Sequence, residues 1–560
     1  MNPLAPLIIQ SDMEILVEVS NPDYPAARDA IAPFTELIKS PEHLHTYRIT
    51  HLSLWNAASA GFSSEEVLGR LEDFSKFPIP PSVTHEVEEY LNRYGRVQLL
   101  VRGGDLILQG DSVELITELQ YLKRLKPFIL EAISDTELRV DASMRGHLKM
   151  ELTSAGFPVE DLAGYVEGDH LEVNLKENMT NGKPLDIRDY QKESSDVFFA
   201  SGSEKGGSGV IVLPCGAGKT VVGICTMALT QTKTLILSPN IVAGRQWIRE
   251  ILDKTDLTED QVKEYSGEKK EIGDVTVATY QILTQKRGGK DGEFAHFHLF
   301  AENKWGLMIY DEVHLLPAPV FRVSAEMQAT RRLGLTATLV REDGREAEVF
   351  SLIGPKKYDM PWKLLEAKGW IATAHCKEIR IPLIDKVKMA YAVAGTRDKI
   401  RIASCNPMKD VVVKEYLNKY DADDERVLVI GQYIDQLEAL AAKLNIPLIT
   451  GKTPNKKREE LYGQFRSGEL KHMMISKVGN FAIDLPDATV LIQISGTFGS
   501  RQEEAQRLGR ILRPKEGGKQ AHFLSLVTRD TREQEFAMNR QLFLAEQGYQ
   551  YKIENWDPPE

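Results

Sequence analysis

The segment from Gly209 to Thr220 constrains this chain more than any other. Gly209-Val210-Ile211-Val212-Leu213 is an apolar run, Pro214-Cys215-Gly216-Ala217-Gly218 is a turn, and Lys219-Thr220 opens a helical pattern. An apolar run without alternation is buried on both faces, the condition of a strand inside a parallel sheet covered by helices. A strand that turns sharply into a helix therefore predicts a parallel α/β sheet. Gly216 and Gly218 give the turn backbone freedom, and N–H groups there, backed by the helix N-terminus, can cradle phosphate oxygens. In that reading Pro214, Cys215, Gly216, Ala217 and Gly218 wrap the phosphates of ATP. Lys219 reaches the β- and γ-phosphates, and the Thr220 hydroxyl ligates Mg²⁺. Leu213 stands where the general pattern has glycine, so the match is incomplete.

Similar short apolar runs recur in two series. The first continues with Thr234-Leu235-Ile236-Leu237, Val275-Thr276-Val277-Ala278 and Leu307-Met308-Ile309-Tyr310. The second holds Val427-Leu428-Val429-Ile430, Met473-Met474-Ile475 and Val490-Leu491-Ile492. Helical patterns separate them, so two parallel-sheet α/β domains in tandem are expected, over 181–355 and 356–550. Their facing edge is a natural ligand crevice. Alternation is weak from Pro361 to Asp424, which holds a basic, helix-permissive stretch around Lys386 to Lys409. It reads as an insertion on the second domain. Residues 1–180 differ in character and read as one or two small mixed domains. Ser63-Ser64-Glu65-Glu66 before Val67 looks like a capped helix start, Pro78, Pro80 and Pro81 break that helix, and Gly168-Asp169 turn into the alternating run Leu171 to Leu175.

A formal charge of −12 over 560 residues does not advertise a nucleic-acid partner. Charge is a sum, however, and a basic channel needs only a local excess, such as the stretch from Lys452 to Lys519. The four cysteines form no CxxC pair, and His375 beside Cys376 is too little for zinc; reduced thiols in the cytoplasm are the expectation. No basic segment precedes Leu7-Ile8-Ile9, so no signal peptide is expected, and no apolar run is long enough to span a bilayer.

Asp311-Glu312-Val313-His314 ends the run Leu307 to Tyr310. Acids at the C-terminal end of a buried strand face the crevice where phosphates sit. Asp311 would hold Mg²⁺, and Glu312 would orient and deprotonate the attacking water. Taken alone the segment is an ordinary acidic loop; with Lys219 at a spacing that fits one domain it becomes a nucleotide site. Gln506-Arg507-Leu508-Gly509-Arg510-Ile511-Leu512-Arg513 falls in the second domain. On a helix, Gln506, Arg510 and Arg513 share a face. An isolated RxxR is a basic surface helix, whereas facing an ATP site Arg510 and Arg513 can act as arginine fingers. Thr336-Ala337-Thr338 is either a plain strand-end turn or a coupling element between the site and domain motion.

Set in order, these segments resemble a helicase of the second large superfamily over residues 185 to about 530, whose members have two RecA-like domains. The resemblance implies adenine contacts at Arg188 and Gln191 in Arg188-Asp189-Tyr190-Gln191. It implies backbone contacts to the nucleic acid from Ser238-Pro239-Asn240 and Arg245-Gln246-Trp247, and bridging from Ser476-Lys477-Val478-Gly479-Asn480 and Ile483-Asp484-Leu485-Pro486. Asn480 departs from an acidic residue more common there. A finer match is to the xeroderma pigmentosum group B helicases of bacterial and archaeal type. Arg341-Glu342-Asp343 follows the threonine motif as that family's RED motif does, and residues 362–410 fall where its thumb-like insertion lies. Leu54-Trp55-Asn56-Ala57-Ala58, Lys76-Phe77-Pro78 and Tyr94-Gly95-Arg96 are similar to its N-terminal region, for which DNA or damage recognition is implied.

The resemblance implies ATP-dependent 3′→5′ DNA unwinding linked to repair or promoter opening, with a repair nuclease or transcription factor as partner. His314, Thr336, Thr338 and Asp484 would couple hydrolysis to motion. Ser238, Arg245, Thr279, Lys477 and the triplet Arg341, Glu342 and Asp343 would meet DNA, mainly at phosphates and without sequence preference. In a prokaryote the protein would be nucleoid-associated. Two rivals stay open: a double-stranded DNA translocase that separates no strands, and a scaffold whose nucleotide site only switches shape.

Overall fold

The computed structural model describes residues 2–41, 43–165, 167–203, 205–286, 294–296, 299, 303–317, 320, 324, 327, 330–338, 345–422, 425–476, 488–496, 499–512 and 520–558. The chain divides into two compact units. The first comprises Met1–Glu36, Tyr47–Leu213 and Gly218–Asp359, the second Leu37–Thr46, Pro214–Ala217 and Met360–Glu560.

The N-terminal region begins with an antiparallel pair, β1 (Leu7–Ile9) and β2 (Glu14–Glu18). The capped helix start is present: a helix spans Ser64–Phe74, and the Ser63 side chain accepts from Glu66 N–H. A mixed sheet comes next, built from β3 (Val97–Arg102), β4 (Asp105–Gly110), β5 (Ile129–Ser134), β6 (Glu137–Val140) and β7 (Val159–Asp161) in the order β5-β6-β4-β3-β7. The helix α1 (Arg145–Ser154) covers it. Leu99, Leu108 and Leu138, from the strands' inward faces, meet Leu115 and Leu148 from covering helices in its core. The run Leu171 to Leu175 forms no strand. It is bound instead by Gln231, whose carbonyl accepts from Leu171 N–H and whose side-chain amide both accepts from and donates to Val173.

The first parallel sheet has seven strands: β8 (Ser208–Val212), β9 (Thr234–Ser238), β10 (Val262–Tyr265), β11 (Val275–Thr279), β12 (Leu307–Asp311), β13 (Arg331–Thr336) and β14 (Lys356–Asp359). Their order is β10-β11-β9-β12-β13-β8-β14. Three helices that pack against these strands are α2 (Asp189–Phe199), α3 (Lys219–Thr230) and α4 (Ile241–Lys254). Leu235, Leu237, Met308 and Tyr310 lie in the core of this layer, which explains the unbroken apolar runs. The order sets the ends of β8, β13 and β12 side by side, so segments far apart in sequence meet at one edge. The sheet runs past residue 355, because Pro355 O accepts from Val210 N–H and β14 then pairs with β8.

The second unit repeats the plan. Its seven strands are β15 (Ala374–Ile381), β16 (Val427–Gly431), β17 (Leu448–Ile449), β18 (His472–Ser476), β19 (Val490–Gln493), β20 (Ala521–Thr528) and β21 (Tyr551–Asn555). They are ordered β17-β18-β16-β19-β20-β15-β21. One expectation is corrected: the stretch 362–410 is not wholly an insertion. It contains β15, a strand flanked on both sides, whose inward Glu378 and intervening Lys377 and Arg380 hide its pattern. Its helical parts include α5 (Asp385–Val393) and α6 (Thr396–Ser404). Near the C-terminus lie α7 (Arg501–Gly509) and α8 (Arg532–Glu546). No helix among the described residues is long and apolar enough to cross a membrane.

Candidate active site

The phosphate loop hangs between β8 and α3. Leu213 N–H donates to Thr336 O at 2.9 Å, tying the loop's start to the end of β13. Gly218 caps α3 with φ 82° and ψ 43°, a left-handed conformation, and a Cβ there would fall 2.4 Å from the Gln191 side-chain amide. Glycine is required twice over, by backbone and by contact. Gln191 is buried on α2, and its Oε1 accepts from the Arg188 backbone N–H at 3.0 Å. One amide thus links the Arg188 turn to the loop, while Arg188 itself donates to the Tyr190 hydroxyl. Thr220 follows Lys219 in the first turn of α3, partly exposed.

Opposite stand the acids at the end of β12. Lys219 Nζ lies 3.2 Å from Glu312 Oε1, with both side chains largely enclosed. Glu312 takes φ 50° and ψ 54°, left-handed for a residue with a Cβ, a cost of about 1–2 kcal/mol accepted at the strand's end. Asp311 is anchored on both ends: Trp247 Nε1–H donates to Oδ2 at 3.0 Å, and the Tyr280 hydroxyl donates to its carbonyl at 2.9 Å. Burial, with Glu312 beside it, pushes the Asp311 carboxyl up to about 6. Burial works the same way on Glu312 but loses to Lys219, His314 and the Ala337 N–H, which hold it below the usual range. Glu312 Oε2 is enclosed with no hydrogen-bond partner. Two carboxylates facing one ammonium leave negative charge in excess, which suits a divalent cation; Asp311 and the Thr220 hydroxyl are oxygen donors of the type Mg²⁺ takes.

From Glu312 a chain of contacts leads to β13. His314 Nδ1 lies 3.5 Å from Glu312 Oε2 and 2.7 Å from Thr336 Oγ1, and Thr336 Oγ1 donates to Thr338 O at 2.5 Å. Lys219, Glu312, His314, Thr336 and Thr338, far apart in the sequence, meet here.

In the second unit, α7 ends at Gly509, so the helix expected to carry Gln506, Arg510 and Arg513 on one face does not run that far. Arg510 sits at its C-cap, partly exposed, and Gln506 Oε1 is enclosed without a partner. Arg507 is fully buried, and its guanidinium donates to Gln493 Oε1 and Ser495 O. The two arginines therefore have different surroundings, Arg507 inside and Arg510 at the rim.

Among the residues expected to meet DNA, Ser238 is fully buried and its hydroxyl donates to Asn240 O and Ala278 O. Thr279 is buried and its hydroxyl accepts from Ile282 N–H. Both side chains thus organise strand ends. Arg245 projects from α4 but is held by Glu264 at 2.9 Å and Glu268 at 2.6 Å, which raise its pKa. Arg341, Glu342, Asp343, Lys477, Asp484 and Arg513 lie outside the described residues.

Sequence reasoning did not place three groups beside the acids: Tyr280, and Trp247 and Ala337, which it read only within other motifs. Tyr280 and Ala337 carry no signal of their own. Trp247 does: a lone tryptophan on the apolar stripe of α4 must pack on the sheet, and a Cβ at Gly223 would fall 2.5 Å from its ring. Nothing in its spacing shows that its N–H meets Asp311.

Two parallel sheets of the RecA-like kind on one chain, with a phosphate loop and a strand-end acid pair on the first, are the core of a helicase-type ATP-driven motor. Residues 365–556 match the family described as ERCC3/RAD25/XPB C-terminal helicase, residues 184–341 that of the type III restriction enzyme res subunit, and residues 7–134 a helicase conserved C-terminal domain. The chain is 50% identical over 553 residues to the DNA 3′-5′ helicase XPB of Mycobacterium tuberculosis, covering 99% of this chain and 98% of that one. It is likewise 50% identical to that of Kineococcus radiotolerans, covering 99% and 97%. The XPB subunit of the Schizosaccharomyces pombe general transcription and DNA repair factor IIH, a helicase/translocase, is 32% identical over 97% of this chain and 75% of its own. The chain belongs to the XPB family of DNA helicases and is an ATP-dependent 3′–5′ DNA helicase.

Proposed function

We propose that the chain separates DNA strands by closing its two RecA-like sheets on ATP, in DNA repair or in transcription-linked opening. The carrying observation is the contact chain from Lys219 through Glu312 and His314 to Thr336, which joins a phosphate-seeking cation to a buried turn. In the absence of nucleotide Lys219 rests on Glu312. ATP draws the ammonium onto its β- and γ-phosphates, and the released carboxylate orients a water. The water oxygen bonds to the γ-phosphorus, its proton passes to Glu312, and the bond to the β–γ bridging oxygen breaks, yielding ADP and phosphate. Asp311 and Thr220 would hold Mg²⁺, which supplies charge neutralisation on the phosphates. The residues Pro214 to Gly218 wrap the phosphates, and Arg188 and Gln191 hold the adenine side. Arg510, with Arg513 and Gln506, completes the site from the second sheet, so hydrolysis waits on closure.

His314, Thr336, Thr338 and Asp484 pass the state of Glu312 to the sheets. DNA is held through phosphates by Lys477 and Arg245 and by the backbone at Ser238 and Thr279, independent of sequence and weakened by salt. Arg341, Glu342 and Asp343 act in strand separation rather than hydrolysis. The N-terminal region serves recognition, a repair nuclease or transcription factor is the partner, and in a prokaryote the nucleoid is the place. The second reading, translocation without unwinding, is favoured by the "helicase/translocase" name of the S. pombe relative.

DNA-stimulated phosphate release is the deciding measurement, run beside strand-displacement and triplex-displacement assays. Stimulation with strand displacement supports unwinding; triplex displacement alone transfers the case to the translocase. Release that ignores DNA would leave only a nucleotide-switched scaffold.

A further inference from the structure

Away from Lys219 and Glu312, the first unit holds a partly open cavity of about 260 Å³. One bank belongs to the N-terminal region and includes Tyr94, Lys149, Glu160 and Asp161; the other includes Ser208 at the start of β8 and Lys357 in β14. The charge around it is unequal. Asp161 receives Arg145 at 2.5 Å and Lys149 at 2.9 Å. Arg332, with no exposed surface, donates to Ser208 Oγ at 3.0 Å and adds a third buried cation to the same group. Half-buried Lys357 is a fourth cation; it donates to Lys205 O at 3.2 Å and stands near Glu160, which accepts from Gln98 at 2.8 Å. With Lys205, which also lines the cavity, five cations among the described residues stand near two carboxylates: Lys149, Lys205 and Lys357 on the lining, Arg145 and Arg332 beyond it.

Excess charge of one sign is costly where water is excluded, and burial pushes Lys149 down to about 8 and depresses Lys357. Neutral hydroxyls stand among the cations: burial pushes Tyr94 up to about 12, so it keeps its proton. Ammonium and hydroxyl donors with a surplus of positive charge match the oxygens and charge of a phosphoryl group. The volume falls below the roughly 300–1,000 Å³ of pockets for drug-sized ligands, so the ligand is small.

We propose that this cavity binds a phosphoryl dianion, either inorganic phosphate or a small phosphomonoester, and that the anion fastens the N-terminal region to the start of the first parallel sheet. Ser208 and Arg332 sit opposite each other in β8 and β13, and four residues further on the same strands end at Val212 and Thr336. The anion would therefore seat about 13 Å below the ATP-binding edge, on the two strands that carry it.

The test uses the full chain carrying Lys219→Ala, so that the phosphate loop contributes little to phosphate binding. Thermal midpoint and calorimetric titration are followed with inorganic phosphate, and with chloride at matched ionic strength. Phosphate should bind and raise the midpoint where chloride does not. Adding Lys357→Gln should weaken binding about tenfold or more, since one charge within a few ångströms is lost at low dielectric. Adding Glu160→Gln should strengthen binding several-fold by removing an opposing charge, a gain that structural damage cannot imitate. No phosphate-specific binding in the Lys219→Ala chain overturns the proposal, as does weakening by Glu160→Gln in parallel with Lys357→Gln. A parallel titration with glycerol 3-phosphate names the source: tighter binding than inorganic phosphate points to a phosphomonoester, equal or weaker binding to phosphate itself.

Discussion

The two parallel sheets handle buried charge in opposite ways. In the second, both oxygens of Glu533 and of Glu504 are occupied. Lys409 donates to both oxygens of Glu533 at 2.8 and 2.9 Å and to Ile494 O, and Glu533 also accepts from Thr528 N–H. Glu504 is met by Gln493 at 2.9 Å, Arg540 at 3.4 Å and Tyr551 at 3.3 Å. At the edge of the first sheet, Lys219 serves two acids, Glu312 Oε2 lacks a hydrogen bond, and Asp311 is pushed toward protonation. Both regions are built from lysine, arginine and glutamate. The difference teaches that satisfied buried charge is architecture, whereas charge left partly uncompensated marks a place where a ligand completes the balance.

Exchanging the central lysine of each region tests that contrast most severely. Lys219→Ala should abolish ATP turnover while the far-ultraviolet spectrum and thermal midpoint stay near wild type. Lys409→Ala should do the reverse in kind, costing about 3–5 kcal/mol of stability because Glu533 is left buried and unpaired. ATPase near wild type in folded Lys219→Ala protein would remove the site from the first sheet's edge. A stable Lys409→Ala protein would show that the second sheet's charges are not structural.

The same contrast divides neighbouring arginines. Arg510→Ala should keep ATP binding, followed with a fluorescent analogue, yet lose about 10³-fold in turnover, the deficit of a missing arginine finger. Arg507→Ala should lower denaturant stability first, since its guanidinium is enclosed and bonded to Gln493 and Ser495. If Arg510→Ala instead weakened nucleotide affinity with turnover per bound ATP unchanged, Arg510 would be a ground-state contact. Should Arg507→Ala leave stability intact and abolish hydrolysis, the assignment of the two would be exchanged.

Much of the fold and half of the site are legible in the residues alone. The strands around Val210, Leu235, Val277, Ile309, Val429, Met474 and Leu491 are visible because parallel strands buried on both faces are unbroken apolar runs. Lys219, Asp311 and Glu312 are visible because a phosphate loop and a strand-end acid pair each carry a local pattern. Strand β15 is hidden because buried Glu378 interrupts its apolar count, its charge answered by Arg380 at 2.7 Å and Gln541 at 2.7 Å. Such partners lie two residues away or across the fold, and composition cannot show which acid has one. The local bonds of Ser238 and Thr279 are hidden from the sequence for a related reason. A hydroxyl at a strand end suits a carbonyl, a helix N–H or a phosphate equally, and only burial decides.

The smallest effect concerns how finely the uncompensated edge is tuned. Burial, with Glu312 beside it, pushes the Asp311 carboxyl up to about 6, while Lys219 and the Trp247 N–H pull it down. A proton there competes with any cation the carboxylate binds. The kcat/KM for ATP, which reports the free enzyme, should therefore fall as pH drops through about 6 at saturating DNA. Trp247→Phe keeps an aromatic ring over Gly223 but removes the donor. A hydrogen bond to a carboxylate worth about 1 kcal/mol corresponds to roughly 0.7 pH unit, so the acid limb should move upward by that amount. Near pH 8, where Asp311 is ionised in both proteins, the rates should nearly coincide. Equal loss at every pH would mean that Trp247 acts by packing alone. An unmoved acid limb with full activity would mean that the N–H does not govern Asp311, and the edge of the first sheet would then be no more tuned than the salt-bridged interior of the second.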